Sequence, residues 1–330
     1  MGFALNVNKE SAIMKQNKPP RKIHILAIFL LMLMLVLGAC QPALTTNAVD
    51  DSRLIVTVSI LPQAYFVERI GGDTVSINVM VGPGEEPHTY EPKPDQMRAL
   101  SYSQLFFTIG TEYEEAWLTR FRDINPALIF IDSADGIRRL PLSDPHQHND
   151  QAEAIEDHSD ESEPLSPEHG LDPHIWLAPA NGKVIATNIL NALKKEVPSH
   201  ANTFQANYDA LLADIDVLDQ KIQNILNDVE QRSFMVFHPA WGYFAAQYDL
   251  KQIPIQIGGL EPSANEMTKI ITIARSENIR VIFTQPTFST ANAEAIAQEL
   301  NAEIAVVDPL AQNWLENLET VAGAFAAALH

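Results

Sequence analysis

Residues 201–230 read ANTFQANYDALLADIDVLDQKIQNILNDVE and carry one uninterrupted helical pattern. Apolar side chains recur there at spacings of three and four residues, which is the period of one helix face. They are Phe204, Tyr208, Leu211, Leu212, Ile215, Leu218, Ile222, Ile225 and Leu226. A helix of roughly thirty residues spans about 45 Å, enough to run the length of a two-lobed molecule. Two ordinary helices on one lobe are the alternative interpretation.

Strands and helices alternate on both sides of this helix. Apolar runs predict strands at 54–61, 75–81, 105–109 and 127–131 on one side, and at 233–237, 252–257, 281–284 and 303–307 on the other. The alternation predicts an α/β fold in which two lobes with mainly parallel sheets are joined by one long helix. We expect an N-terminal lobe at 53–198, a linking helix at 199–231 and a C-terminal lobe at 232–330.

Charge and cysteine content exclude several classes of protein. The formal net charge is −20, which argues against nucleic acid as a partner because phosphate binding needs basic patches. The single cysteine, Cys40, cannot form a disulfide within the chain, and a zinc site built on cysteines is excluded as well.

The N-terminus has the layout of a secretory signal peptide. The apolar run 23–37 follows basic residues and is too short for a membrane span, which needs roughly twenty residues. Leu37-Gly38-Ala39-Cys40 resembles a bacterial lipobox, so we expect a signal peptide at 1–39, lipid on Cys40 and a polar tether at 40–52. Met14 is a more ordinary start than Met1. An N-terminal anchor helix with an incidental cysteine is the alternative.

An acidic segment, residues 143–172, separates two compact parts of the N-terminal lobe. It contains ten Asp or Glu residues, no Lys or Arg, and four histidines: His146, His148, His158 and His169. One hypothesis makes it an accessory loop that collects metal ions with low affinity. A solvated insertion without a metal role has the same composition, so both interpretations stay open.

Three further histidines share one local context. His88, His174 and His238 each stand beside a proline in or next to a predicted loop, and proline stiffens such turns. His238 and Asp308 directly follow predicted strands, where α/β proteins bind their ligands. Three imidazoles and one carboxylate would form a four-coordinate metal site. A single buried histidine is more often a core residue, but three in one context favour ligands.

Five motifs carry a family resemblance, and they occur in that family's order. They are Pro87-His-Thr-Tyr-Glu-Pro92, Asp172-Pro-His-Ile-Trp-Leu177, Phe237-His-Pro-Ala-Trp-Gly-Tyr-Phe244, Gly259-Leu-Glu-Pro-Ser263 and Asp308-Pro-Leu310. From about residue 54 onward the chain resembles the ZnuA-like zinc-binding components of bacterial ABC importers. The resemblance implies metal held between two lobes by His88, His174 and His238, with Asp308 as fourth ligand or near neighbour.

The resemblance also bears on the identity of the metal. Manganese-binding relatives carry a carboxylate where His238 stands, and imidazole favours zinc. After the strand at 281–284, the family pattern has a Glu within a Glu-Pro-Gln-Phe-like segment, whereas this chain has Gln285. We do not place Gln285 among the ligands.

The resemblance implies a lipid-anchored receptor of the cell envelope, periplasmic or on an extracellular face. It would bind Zn²⁺ as transported ligand, act as a monomer and deliver the ion to a membrane ABC permease. A manganese or iron receptor of the same family is the first alternative. A zinc hydrolase is the second, although the sequence contains no HExxH motif. We therefore expect no enzymatic activity.

Overall fold

The computed structural model describes residues 53–142, 170–257, 260–287 and 291–330. The predicted signal peptide, Cys40 and the four histidines of the acidic segment lie outside the described residues. Two four-stranded parallel sheets organise the described chain, which confirms the predicted α/β class. Within these ranges no helix combines the length and the apolar character needed to cross a bilayer.

The N-terminal lobe is built on the first sheet. Its strands are β1 (Leu54–Ile60), β2 (Val75–Val81), β3 (Leu105–Thr108) and β4 (Ile129–Asp132), in the order β2-β1-β3-β4. Its helices are α1 (Leu61–Gly71), α2 (Pro94–Leu100) and α3 (Glu112–Ile124). Proline begins α2, where its missing N–H costs no helical hydrogen bond.

The C-terminal lobe repeats the arrangement. Its strands are β5 (Ser233–Val236), β6 (Lys251–Pro254), β7 (Val281–Thr284) and β8 (Glu303–Val306), in the order β6-β5-β7-β8. Its helices are α6 (Gly242–Gln247), α7 (Ala264–Ser276), α8 (Ala291–Leu300) and α9 (Trp314–Ala328). Phe234 and Val236 join the main core, whereas Met235 packs in a second core. The sheet is therefore covered on both faces, as parallel sheets generally are.

Helix α4 (Pro179–Glu196) ends the N-terminal lobe, and α5 (Ala201–Leu226) joins the two lobes. The second is one continuous helix of 26 residues, about 39 Å long, and not two. It packs against α1 and α4 of the N-terminal lobe and against α9 at the end of the chain. Asn207 donates to the Ile70 carbonyl at 3.0 Å, and Lys221 pairs with Glu319 at 2.8 Å. The long helix thus contacts both halves of the described chain.

Two tryptophans hold the turn before α9 against the N-terminal lobe through hydrogen bonds of their indole N–H groups. Trp176 Nε1 donates to the Pro309 carbonyl at 2.7 Å, and Trp314 Nε1 donates to the Trp176 carbonyl at 2.6 Å. Gly182 in α4 permits this approach, since a Cβ there would lie 2.5 Å from the Trp314 ring. These contacts hold the segment that follows His174 against the C-terminal lobe.

Candidate metal centre

His88 lies in the short 3₁₀ turn Pro87–Thr89, within the loop that follows β2. The Glu86 carboxylate accepts a hydrogen bond from the His88 backbone N–H at 3.3 Å and caps this turn. The ring places Nδ1 2.8 Å from the carboxylate of Glu112, in the first turn of α3. With its side chain 25% exposed, His88 is the most solvent-accessible of the three histidines.

His174 is held by Asp172, two residues before it. Asp172 Oδ1 accepts hydrogen bonds from the backbone N–H of His174 at 2.9 Å and from its ring Nδ1 at 2.8 Å. Both residues are buried, and the Tyr243 hydroxyl donates to the Asp172 carbonyl at 2.9 Å. Burial raises the pKa of Asp172 to about 7, and the bond from the His174 backbone opposes that rise. Oδ1 remains an acceptor in either protonation state, so the ring orientation is fixed.

His238 follows β5 by two residues and is also buried. Its Nδ1 lies 2.8 Å from Oε1 of Gln256, which in turn stands two residues beyond β6. The Gln256 backbone N–H donates to the Phe237 carbonyl at 2.9 Å and holds the two strand ends together. The carboxyl edge of the C-terminal sheet therefore supplies both this ring and its orienting partner.

The three rings converge through their Nε2 atoms. His88 Nε2 lies 3.1 Å from His238 Nε2, which lies 3.3 Å from His174 Nε2. One donor atom from each residue falls within 4.8 Å of the other two. Nitrogens bound to one tetrahedral zinc at 2.0–2.1 Å stand about 3.3 Å apart. The spacing therefore fits a single small cation at the centre of the three rings.

The outer hydrogen bonds select the tautomer of each ring. The Glu112 carboxylate, Oδ1 of Asp172 and Oε1 of Gln256 act as acceptors here, so each Nδ1 donates its proton outward. Each Nε2 then offers a lone pair to the centre, which is how outer partners prepare histidine ligands for a metal.

The three rings differ in their affinity for protons. Burial lowers the pKa of His174 to about 3, and the positive charge of His88 adds to this effect. Burial, then the neighbouring His174 and His88, lowers the pKa of His238 well below its usual range. Burial opposes protonation of His88 too, but the hydrogen bond and charge of Glu112 outweigh it and raise the pKa of His88. The proton that competes with a bound cation therefore resides on His88.

The predicted fourth ligand, Asp308, is not part of this convergence. Among the described residues, the group of donor atoms within 4.8 Å of one another contains the three histidines without Asp308. Its Oδ1 accepts a hydrogen bond from the Leu310 backbone N–H at 2.8 Å. This local Asx turn directs the carboxylate along its own chain. A ligand role for Asp308 remains a prediction.

The structure places a different carboxylate near the centre. Oε1 of Glu86 lies 3.8 Å from Nε2 of His88. Burial raises the pKa of Glu86, while His88 and the hydroxyl of Thr287 favour its ionised form. No sequence pattern singled out Glu86, Glu112 or Gln256 as partners of the three histidines. Each of these residues stands beside a turn that carries a candidate ligand or a few residues beyond a strand end. This position was the signal that the sequence offered for their role.

The acidic segment joins the described chain close to His174. Pro141 and Leu171 form an antiparallel bridge, and the Leu142 backbone N–H donates to the Gly170 carbonyl at 3.0 Å. Leu140 continues this ladder by accepting from the Asp172 backbone N–H at 2.8 Å. The predicted accessory histidines His146, His148, His158 and His169, like Cys40, lie outside the described residues. Their roles stay predictions.

Known proteins resemble this chain in both sequence and fold. The curated High-affinity zinc uptake system protein ZnuA of Bacillus subtilis (strain 168) is 28% identical over 284 residues, which cover 84% of this chain and 85% of that protein. A crystal structure of ZnuA is 40% identical, with a TM-score of 0.74, and the match covers 84% of this chain and 100% of that one.

A crystal structure of a ZnuA mutant that lacks its own residues 138–173 and has zinc bound is also 40% identical. Its TM-score is 0.73, and the match covers 84% of this chain and 98% of that one. The family model described as zinc-uptake complex component A, periplasmic (ZnuA), matches residues 56–328. This range includes the C-terminal sheet, all of the N-terminal sheet but the first two residues of β1, and all three converging histidines. The chain belongs to the ZnuA family.

Proposed function

We propose that this protein captures Zn²⁺ outside the cytoplasm and delivers it to the permease of a membrane ABC transporter. The observation that carries the proposal is the convergence of three Nε2 atoms at separations of 3.1 and 3.3 Å, each ring oriented through its Nδ1. Neutral imidazoles are ligands that suit zinc, whereas manganese prefers oxygen. The family and the zinc-uptake relative support the same assignment.

Capture replaces the waters of the ion with protein ligands. His174 and His238 have lowered pKa values and offer free lone pairs at neutral pH. His88 has a raised pKa and a more exposed side chain, so it is the ligand that exchanges a proton for the metal. Because ligands must be deprotonated, binding releases protons and weakens as the pH falls.

A carboxylate would complete the four-coordinate site. Glu86 is the better placed candidate, since its Oε1 already lies 3.8 Å from His88 Nε2, and a side-chain rotation would bring it toward the centre. To bind the ion, Asp308, the predicted ligand, would first have to break the hydrogen bond that it accepts from the Leu310 backbone N–H. Glu86→Gln and Asp308→Asn, compared for zinc affinity, distinguish the two: the larger loss identifies the ligand.

The remaining features describe a receptor and not an enzyme. If a carboxylate fills the fourth position, no open position is left for a reacting water, which catalytic zinc requires. Lipid on Cys40 would hold the protein at the membrane through the tether 40–52. The acidic segment would collect zinc near the centre. The ZnuA mutant that lacks its own residues 138–173 has zinc bound, so that protein binds zinc without those residues.

Equilibrium dialysis with competing ions tests the assignment. The metal-free wild-type protein should bind one Zn²⁺ tightly even when Mn²⁺ is present in excess. The triple variant H88A/H174A/H238A should lose that ion. Preference for Mn²⁺ or Fe²⁺ in the presence of Zn²⁺ would overturn the zinc assignment.

A further inference from the structure

Gln285 directly follows β7 at the carboxyl edge of the C-terminal sheet and has an incompletely satisfied side chain. The residue is 6% exposed, and its Nε2 has no hydrogen-bond partner among the described residues. Burial of an amide donor without an acceptor is unfavourable, and buried polar atoms in native proteins are nearly always paired. The Gln285 amide is therefore placed for an acceptor that arrives with a ligand.

Strand register puts Gln285 beside His238. In the parallel pair of β5 and β7, Met235 lies opposite Ile282 and Val236 opposite Phe283, a constant offset of 47 residues. The Phe237 backbone N–H donates to the Phe283 carbonyl at 2.8 Å, so the pairing continues past the end of β5. The same offset, continued just beyond the two strand ends, places Gln285 in register with His238.

The residues after Gln285 reach the other side of the centre. Thr287, two residues further on, stabilises the ionised carboxylate of Glu86. Glu86 Oε1 lies 3.8 Å from His88 Nε2. The short segment 285–287 is thus flanked by His238 through the sheet register and by Glu86 through Thr287.

We propose that the Gln285 side-chain amide positions the oxygen that fills the fourth coordination place when the three histidines hold Zn²⁺. That oxygen belongs either to the Glu86 carboxylate or to a metal-bound water, and both accept from an amide N–H. A carboxylate at position 285 would repel an anionic oxygen, whereas the amide attracts it. Gln285 is a positioning residue that does not touch the ion, and the proposal rests on the proposed zinc-binding function.

Two substitutions in the otherwise unchanged protein test this. Gln285→Leu removes the donor, and Gln285→Glu keeps the side-chain shape while replacing the N–H group by oxygen. Zinc affinity, measured by competition with a chelator, should fall about 10–100-fold in both, the usual effect of losing an outer partner of a metal site. The visible absorption bands of the Co²⁺-loaded protein, which report coordination geometry, should shift as well.

Gln231→Leu is the matched control, at the opposite edge of the same sheet. Gln231 Nε2 donates to the Ser233 carbonyl at 3.3 Å and to that of Glu277, so the substitution removes two side-chain hydrogen bonds far from the centre. It should lower the unfolding temperature without changing zinc affinity or the Co²⁺ spectrum. If Gln285→Leu does not fold, zinc affinity and the Co²⁺ spectrum are measured on the isosteric variant Gln285→Glu.

The outcomes separate this inference from the function it rests on. Wild-type zinc affinity and an unchanged Co²⁺ spectrum in the Gln285 variants would overturn the positioning role while leaving zinc binding intact. Failure of the wild-type protein to bind Zn²⁺ would overturn the proposed function instead. Combining Gln285→Leu with Glu86→Ala identifies the acceptor. If the double variant's loss of zinc-binding free energy differs from the sum of the two single losses, the acceptor is the Glu86 carboxylate. If the losses are additive, the acceptor is a metal-bound water.

Discussion

The Nε2 atoms of His88 and His238 lie 3.1 Å apart although 150 residues separate them in the sequence. One ring comes from the loop after β2 and the other from the end of β5, so each lobe contributes one. Both rings turn Nδ1 outward, which leaves two nitrogen lone pairs facing each other. Such a pair is stable only with a positive charge between its members. Because the pKa of His88 is raised, a proton on this ring can supply that charge, and in the proposed function a zinc ion takes its place.

Loss of one converging ring should abolish tight zinc binding. His174→Ala removes one of the three converging imidazoles proposed as ligands, so zinc affinity should fall by more than the about 10–100-fold that loss of an outer partner causes. Chelator competition measures the change. His200→Ala is the control, since the His200 ring is exposed and bonds only to Ser199 among the described residues. Unchanged affinity in His174→Ala would contradict the assigned centre.

Asp172→Asn tests the outer partner of that same ring. The asparagine can still accept through its oxygen, but it removes the negative charge that makes the imidazole more basic. We expect zinc affinity to fall about 10-fold, with little change in the Co²⁺ spectrum because the ligands are unchanged. Asp135→Asn, at an exposed position, should have no effect. Equal affinities of the two variants would show that Asp172 serves only the fold.

The pH dependence of zinc binding should follow His88. Its pKa is raised, so on acidification a proton begins to compete with zinc above the ordinary histidine pKa of about 6.5. His174 and His238 have lowered pKa values and take up protons only at lower pH. Glu112→Gln removes the charge that raises the His88 pKa. Affinity measured across pH should therefore begin to fall at a lower pH in this variant, and an unshifted profile would refute the role of Glu112.

Gly182→Ala tests the packing between α4 and the turn before α9. The added Cβ would lie 2.5 Å from the Trp314 ring, which must shift, so we expect a loss of about 1–3 kcal/mol in the free energy of unfolding. Gly323→Ala is the matched control within α9, where a Cβ meets no atom within 4 Å. It should stabilise the protein by about 0.5–1 kcal/mol, because alanine favours helix. Denaturant titration measures the free energy of unfolding of both variants, and we expect changes of opposite sign relative to the wild type.

Removal of residues 146–169 should leave the high-affinity centre intact. The ladder that ends at Pro141 and Leu171 and the Asp172 bonds to His174 lie in the chain that remains. We expect one tightly bound zinc ion per protein, as in the wild type, with fewer weakly bound ions. Isothermal titration calorimetry gives both numbers. Loss of the tight site on deletion would assign the segment to the centre itself.

The sequence by itself determined the fold class and most elements. Strand alternation and the period of the 201–226 helix are local properties of the chain, so they can be recognised without knowledge of its contacts. The three histidines were also recognisable, because each stands by a proline turn or a strand end. The long helix ends at Leu226 and not near residue 230, since the chain must turn before β5 begins at Ser233.

Tertiary structure alone decided which side chains meet. Glu112 and Gln256 orient His88 and His238 from other elements, across sequence separations of 24 and 18 residues, and such pairings depend on how loops and strands pack. Asp308 lies beyond a strand end as predicted, and its Oδ1 accepts from the Leu310 backbone N–H, a bond that the sequence pattern does not reveal. Glu86 Oε1 lies 3.8 Å from His88 Nε2, because Glu86 adjoins the turn that carries this ring. The local pattern thus determined which residues could bind metal, and the packing of two lobes around one helix decided which of them converge.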